Sequence, residues 1–343
     1  MIIALDATYS VGESLSGVGL YSHEILTGLA KAHPDTRFHF YYRPHRFFRA
    51  ANLPPNARRR LLAGPLGPHS AALFHGLNQR LPHTRLRHAI ATFHDLFVLT
   101  GEYSTPEFRA RFADQARDAA KRADVIIAVS DFTKGQIVSL LNVTPSKIRV
   151  VHHGVRALPH REVPREKLVL NVGAIQTRKN IARLVDAFES LDHEWRLVFA
   201  GSVGFGAEAI LDRIRRSPAA ARIEVLGYVT PEDLGQWYAR ASMFAFPSLD
   251  EGFGMPVLEA MAAGAPVITS NRSALPEVAG DAALLVDPLD TAAIAGELRR
   301  LAADPALRED LAARGRKRAD LFTWEKAVRQ TWDAYKDVLP EAF

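Results

Sequence analysis

The chain has 343 residues, too many for one compact core and suited to two domains. It is 48% hydrophobic and 24% charged, which allows ample burial under a hydrated surface, and having no cysteine it excludes disulfides and thiolate metal sites. The net charge of +5 divides unevenly, +9 over residues 1–163 and −4 beyond, which directs an acidic or phosphorylated partner toward the first half. MIIALDATYS at the start lacks a basic region followed by an apolar one, and no apolar run approaches the ~18 to 20 residues that cross a bilayer. A cytoplasmic protein is expected, with the inner face of the cell membrane as a surface it could touch.

In chain order, the first half offers short apolar runs at 1–7, 37–42, 72–77, 89–95, 124–130 and 147–154, which read as strands. Helical spacing separates several of them, at 18–32, 107–122 and 131–141. Segment 159–167, PHREVPREK, is polar and bracketed by prolines, a natural linker. The second half is more regular. Strands are expected at 168–173, 195–201, 223–227, 243–248, 265–270 and 283–287, with helices near 180–190, 207–217, 231–240, 256–263 and 291–303. Asn180 reads as a helix cap, and Pro231 and Pro256 suit first turns. Residues 322–339 form an amphipathic helix. Such alternation predicts an α/β chain of two Rossmann-like doubly wound domains facing an interdomain cleft, with ligands at the carboxyl ends of the strands.

Several positions carry chemistry. Gly17 and Gly19 stand before the first long helix, as a helix-entry turn or a ligand loop. Residues 37–60 hold seven arginines and six aromatics. They read either as a strand followed by a solvated basic loop or, through Arg43, Arg46 and Arg49, as a docking patch for anionic lipid or a lipid diphosphate. His94 ends an apolar strand, and Asp95 either orients its imidazole or caps the strand end. Ser130 reads as a helix cap. After the strand ending at Gly173, Arg178 and Lys179 read either as a basic loop exposed to water or as two cations beside a helix start, where a diphosphate would lie. Tyr228, following a strand, reads as a packing residue. In FAFPSLDEGFGMPVLEAMAAG, glycines 252 and 254 permit close backbone approach, and the helix beginning near Pro256 offers N–H groups to phosphate or sugar oxygens. Glu251 in the loop and Glu259 one turn into the helix could touch different parts of one extended ligand, since carboxylates accept hydroxyl hydrogen bonds strongly. Each glutamate alone would also read as an ordinary surface or helix-end residue.

Two glutamates separated by GFGMPVL, with AGAPVITSNRSALPEVAGDAALLVDPLD following, resemble the motif of the retaining glycosyltransferases of family 4, which have the GT-B fold. The resemblance spans nearly the whole chain. It implies an acceptor-binding domain over 1–160, a nucleotide-sugar-binding domain over 161–322, and a terminal helix, 323–343, crossing back to the first. It makes His94 and Glu251 catalytic, with His94 beside the reacting sugar, and gives Gly17, Gly19, Arg178, Lys179, Gly227, Tyr228, Val229, Phe253, Gly254, Met255 and Glu259 to the donor. Glu259 would hold the ribose, and the backbone of Gly227 to Val229 would border the base. Ala174 departs from the arginine or threonine that relatives often place after the strand glycine. No metal and no cofactor are implied, the nucleotide sugar being a co-substrate. GVGLYS, HDL and SNRSALPEV look most like bacterial mannosyltransferases of polysaccharide assembly that use GDP-mannose. The acceptor would be a saccharide or a lipid-diphosphate-linked glycan, and no nucleic-acid motif accompanies the basic half. A UDP-hexose transferase, a GT-B sugar-nucleotide epimerase and a non-catalytic nucleotide-sugar-binding protein are the alternatives.

Overall fold

The structure is a computed structural model that describes every residue except 13, 14, 16, 51, 65, 157, 160–162 and 343. Parts of the glycine loop (14 and 16), of the basic segment (51) and of the expected linker (160–162), with the boundary placed there, lie outside the described residues. The chain forms two units, Met1–Gly154 with Phe322–Phe343, and Val155–Leu321.

In the first unit, strands β1 (Ile2–Asp6), β2 (Arg37–Tyr42), β3 (Ala57–Leu61), β4 (Leu73–Gly76), β5 (Ala89–Phe93), β6 (Val125–Ala128) and β7 (Ile148–Val150) form one parallel sheet in the order 3-2-1-4-5-6-7. Its helices are α1 (Gly17–Ala32), the short α2 (Pro44–Phe47) and α3 (Phe97–Thr100), α4 (Pro106–Arg122) and α5 (Asp131–Leu141). In the second unit, β8 (Glu166–Val172), β9 (Arg196–Ala200), β10 (Ile223–Gly227), β11 (Ala241–Phe246), β12 (Val267–Ser270) and β13 (Ala283–Val286) run parallel in the order 10-9-8-11-12-13. Between them lie α6 (Ile181–Phe188), α7 (Ala207–Arg215), α8 (Pro231–Arg240), α9 (Met255–Ala262), α10 (Leu275–Ala279), α11 (Thr291–Ala303) and α12 (Pro305–Ala319). The last helix, α13 (Trp324–Val338), belongs to the first unit.

The central strands bury both faces, as a doubly wound sheet demands. Along β1, Ile3 and Leu5 point to one core with Tyr21 and Leu29 of α1 and Trp332 and Tyr335 of α13. Ala4, between them, points to the other core, with Phe93 and with Phe112 and Ala116 of α4. A third core joins Val169, Phe199 and Met243 to α6, α7 and α11. Both sheets reverse their order beside the first strand of the unit, at β1/β4 and at β8/β11, and the crevice outside the strand ends at such a point is where this fold class takes ligands.

Five local expectations are corrected. Gly17 and Gly19 lie inside the first turn of α1, not before it, and a Cβ on Gly19 would stand 2.9 Å from the Tyr9 carbonyl, so that glycine serves a close contact within the chain. The arginines read as a solvated loop, 58 to 60, form an edge strand pairing with β2. Such an edge escapes an apolar-run search because its side chains stay in water and their charge blunts further pairing. Asn180 makes no side-chain cap; its backbone is left-handed (φ 59°), and its Nδ2 donates to the carbonyls of Pro247 (3.0 Å) and Pro288 (2.6 Å) instead. Tyr228 is not a packing residue but 57% exposed. Finally, helix α12 was not foreseen, because its segment is charged throughout and buries only a few side chains such as Leu311 and Ala319. Ser130, by contrast, caps α5 through a bond accepted from the Thr133 N–H (3.0 Å).

Candidate active site

At the β8/β11 switch point of the second unit, the chain leaves β8 through Gly173 and makes a single tight turn, Thr177–Lys179. Gly173 has φ 144°, and a Cβ there would come within 3.2 Å of the Lys179 side chain, so glycine keeps the path of that lysine open. From the end of β11 comes Ser248, and three residues on, Glu251. Lys179 Nζ donates to Glu251 Oε1 at 2.6 Å, Arg178 Nη1 pairs with Oε2 at 2.9 Å, and the Ser248 hydroxyl donates to Oε1 at 2.6 Å. Arg178 also donates to the Asp250 carbonyl, and the lysine ammonium lies 4.6 Å above the Phe246 ring. The serine hydroxyl of Ser273 accepts from the Glu251 N–H (3.1 Å). All three charged side chains are buried.

Burial alone would raise the Glu251 carboxyl. Arg178, Lys179 and the bonds from Lys179 and Ser248 overcome it and hold the group down at about 2. The trio therefore keeps two cations and one anion in a nearly dry site. Its two cations offer an incoming diphosphate both a guanidinium fork and a point charge.

Glycine 254 begins α9 at φ 101°, and a Cβ there would stand 2.6 Å from Leu275, so the turn depends on glycine twice over. Phe253 is buried, Met255 is half-buried, and Pro256 falls in the first turn. Glu259 is buried in α9. Its Oε1 accepts from Arg156 Nε (3.1 Å) and ion-pairs with Nη2 (3.0 Å), and its Oε2 accepts from the Tyr238 hydroxyl (3.0 Å). Burial still dominates and leaves its carboxyl raised despite Arg156 and Tyr238. Gly227, at φ 72°, ends β10, with exposed Tyr228 and half-buried Val229 following. The structure thus brings Arg178, Lys179 and Glu251 into direct contact, while Glu259 has a separate set of partners.

In the first unit, His94 follows β5. Its Nε2 lies 2.9 Å from the Leu77 carbonyl, which can only accept, so Nε2 carries the proton and Nδ1 the lone pair. The Tyr21 ring meets it edge-on at 4.7 Å and His153 stacks on it at 5.3 Å. Burial pushes His94 down to about 4 against the pull of the Leu77 bond, and His75 down to about 3. His153 falls well below its usual value through burial and the nearby His94 and His152. Beneath this group runs a buried chain of hydrogen bonds: the Tyr21 hydroxyl to Thr92 Oγ1 (2.9 Å), Thr92 to His75 Nε2 (2.8 Å), and His75 Nδ1 to the Tyr335 hydroxyl (2.7 Å). The C-terminal helix is tied to β4 and β5 through it. Asp95 is half-buried; Gly17 is exposed at the start of α1.

Arg46 Nη1 donates to the Val11 carbonyl (3.0 Å), so it is tied into its own unit, whereas Arg49 is exposed and Arg43 half-buried. Residues that sequence reasoning missed are Ser248, Ser273, Arg156, Tyr238, His153 and Asn78. The last has a buried Oδ1 with no hydrogen-bond partner among the described residues, one position after the carbonyl that holds His94. Among the described residues no group of three His, Asp or Glu side chains is placed to hold a metal ion, and no helix is long and apolar enough to cross a membrane.

Two parallel doubly wound sheets, with a cation–carboxylate cluster at one switch point and a buried histidine at a strand end of the other, define a glycosyltransferase of GT-B architecture. Residues 159–318 match the family model for glycosyl transferases group 1, and residues 16–157 match that for glycosyltransferase family 4. The O-antigen chain mannosyltransferase B of Escherichia coli is 32% identical over 96% of this chain and 98% of its own. A D-inositol 3-phosphate glycosyltransferase of a Nocardioides strain is 32% identical over 68% of this chain and 58% of its own. Among solved structures, the sucrose-phosphate synthase of Thermosynechococcus elongatus superposes with a TM-score of 0.83 over 99% of this chain and 100% of its own, at 23% identity. The chain belongs to the family 4 glycosyltransferases, and it is a hexosyltransferase.

Proposed function

We propose that the chain transfers mannose from GDP-mannose, with retention of anomeric configuration and without a metal, to a saccharide or lipid-linked glycan of a cell-surface polysaccharide. The observation that carries this reading is the buried Arg178–Lys179–Glu251 cluster at the β8/β11 switch point, whose two cations suit a leaving diphosphate. The full-length likeness to an O-antigen chain mannosyltransferase supports mannose and polysaccharide as the two sides of the reaction.

Arg178 and Lys179 bind the diphosphate and neutralise the charge that grows on it, the service a divalent cation would otherwise give. The N-terminus of α9 adds backbone donors, and Glu251 orders the two cations and accepts from sugar hydroxyls. Glu259 accepts from the ribose. In the first unit, the lone pair on His94 Nδ1 accepts from a hydroxyl of the transferred sugar and fixes its position. The bond between the anomeric carbon and the phosphate oxygen breaks, and the acceptor oxygen bonds to that carbon on the same face. The acceptor proton passes to a phosphate oxygen, giving the mannoside and GDP. The anomeric configuration of the product formed from GDP-mannose tests this account.

We further propose that the enzyme rests on anionic membrane through its basic N-terminal surface. Phe48 is 88% exposed beside Arg49, and Arg58, Arg59 and Arg60 line the exposed edge strand. An aromatic that enters the interface and cations that meet lipid phosphates suit this surface. Vesicles containing phosphatidylserine should sediment the protein. Replacing Arg49, Arg58 and Arg60 by glutamate should abolish that, while neutral phosphatidylcholine vesicles leave the protein in solution. Equal sedimentation by both lipids, or none, would refute membrane contact.

A further inference from the structure

Glu259 is not held like an ordinary helix-face glutamate. It is buried in α9, and both its oxygens are already engaged by residues from other elements: Arg156, near the start of the second unit, and Tyr238 of α8. The two partners differ in kind. Arg156 sets Nε and Nη2 against one oxygen, at 3.1 and 3.0 Å, which anchors that end of the carboxylate with a charge-assisted contact. Tyr238 is wholly buried, its ring 5.6 Å from that of Phe244, and its hydroxyl bonds the other oxygen at 3.0 Å. A carboxylate has about four lone-pair directions, and these contacts fill at most three, so a further hydroxyl donor can still be accepted.

We propose that Arg156 and Tyr238 are positioning residues that hold the Glu259 carboxylate in the one orientation that accepts a ribose hydroxyl of the donor, and so set the preference for ribonucleotide over deoxyribonucleotide donors. This rests on the reading that Glu259 meets the ribose. The arrangement matters because a buried carboxylate is costly unless paired and hydrogen-bonded. Burial already raises this carboxyl with both partners in place. Without Arg156 it would rise further, and a protonated carboxyl has lost its charge and one acceptor site, so it accepts more weakly from a ribose hydroxyl. Ribose recognition would then weaken as pH falls toward the acid side of neutrality, a dependence that the arginine suppresses.

The test compares binding of GDP with binding of its 2′,3′-dideoxy analogue by calorimetry. The proteins are the wild type, Glu259→Gln, Arg156→Gln, Arg156→Lys and Tyr238→Phe, each checked for folding by circular dichroism. The wild type should prefer GDP by about 10- to 100-fold, the value of one hydrogen bond to a charged group. Glu259→Gln should lose most of that preference. Arg156→Gln and Tyr238→Phe should each lose a large part of it while binding the dideoxy analogue as the wild type does, and Arg156→Lys should recover some. In Arg156→Gln alone the preference should also fall as the pH is lowered. If Glu259→Gln keeps the wild-type preference, the ribose reading fails and the inference with it. If Glu259→Gln loses the preference while Arg156→Gln and Tyr238→Phe retain it at every pH, the ribose reading stands and the positioning role is overturned. Should Arg156→Gln not fold, the near-isosteric Tyr238→Phe decides the question alone.

Discussion

Replacing Glu251 by alanine is expected to lower kcat/KM by about 100- to 1,000-fold, the usual loss when one element of a preorganised charge cluster is removed. It is also expected to destabilise the ligand-free protein by about 3 to 5 kcal/mol, because two buried cations lose the carboxylate that neutralises them. Arg178 and Lys179 both bond that one group, at 2.9 and 2.6 Å, and all three side chains are buried. Neither cation can relax into water without rebuilding the loop that follows β8. A nucleoside diphosphate brings replacement charge, so saturating GDP should restore a large part of the lost stability to Glu251→Ala. Lys179→Ala behaves differently. It leaves a single buried pair, Arg178 with Glu251, so it should lose activity on a similar scale with a smaller loss of stability. Urea unfolding with and without GDP, beside steady-state rates, checks the pattern. Wild-type stability for ligand-free Glu251→Ala would show that the cations do not depend on the glutamate.

Acid should destabilise the first unit well before its carboxylates titrate. In the unfolded chain histidine titrates near 6.5, whereas burial holds His94 at about 4 and His75 at about 3, with His153 also well below its usual range. Folded pKa values below the unfolded one mean that the unfolded chain takes up protons first as pH falls. The stability is therefore fully present above about pH 6.5 and is lost on descent toward the folded values. At about pH 5 His94 and His75 each account for about 2 kcal/mol relative to neutral pH, and His153 adds to the loss in the same direction. In the second unit, Glu251, depressed to about 2, keeps its contribution in that window. Urea midpoints at neutral pH and near pH 5 measure the difference, and equal midpoints would mean that the histidines are not held neutral. The same depression keeps the His94 lone pair available throughout the physiological range, so kcat should show no inflection from this residue there.

The sheets were legible because every central strand is a short apolar run, and periodicity needs nothing but neighbours in sequence. The donor motif was legible for the same reason: Glu251, Gly254 and Glu259 lie within nine residues, and their glycine turn and helix start are local. What stayed hidden is long-range. Arg156 reaches Glu259 across 103 positions, and His75 reaches Tyr335 across 260. An arginine beside a linker or a tyrosine in a terminal helix carries no local mark of such a partner. The edge strand β3 was hidden by its own arginines, and α12 by charge on nearly every turn. Tyr228 shows the converse error: a tyrosine after a strand reads as core, yet this one faces solvent because β10 is itself the edge of its sheet.

The central claim is that this hexosyltransferase moves mannose from GDP-mannose with retention, using its own cations at the diphosphate. Proton NMR of the first product formed from GDP-mannose and a mannoside acceptor, with EDTA present, measures this directly. The new linkage should have the anomeric configuration of the donor, at a rate that EDTA does not change. An inverted linkage, loss of transfer in EDTA, or transfer from a UDP-hexose but not from GDP-mannose would contradict it.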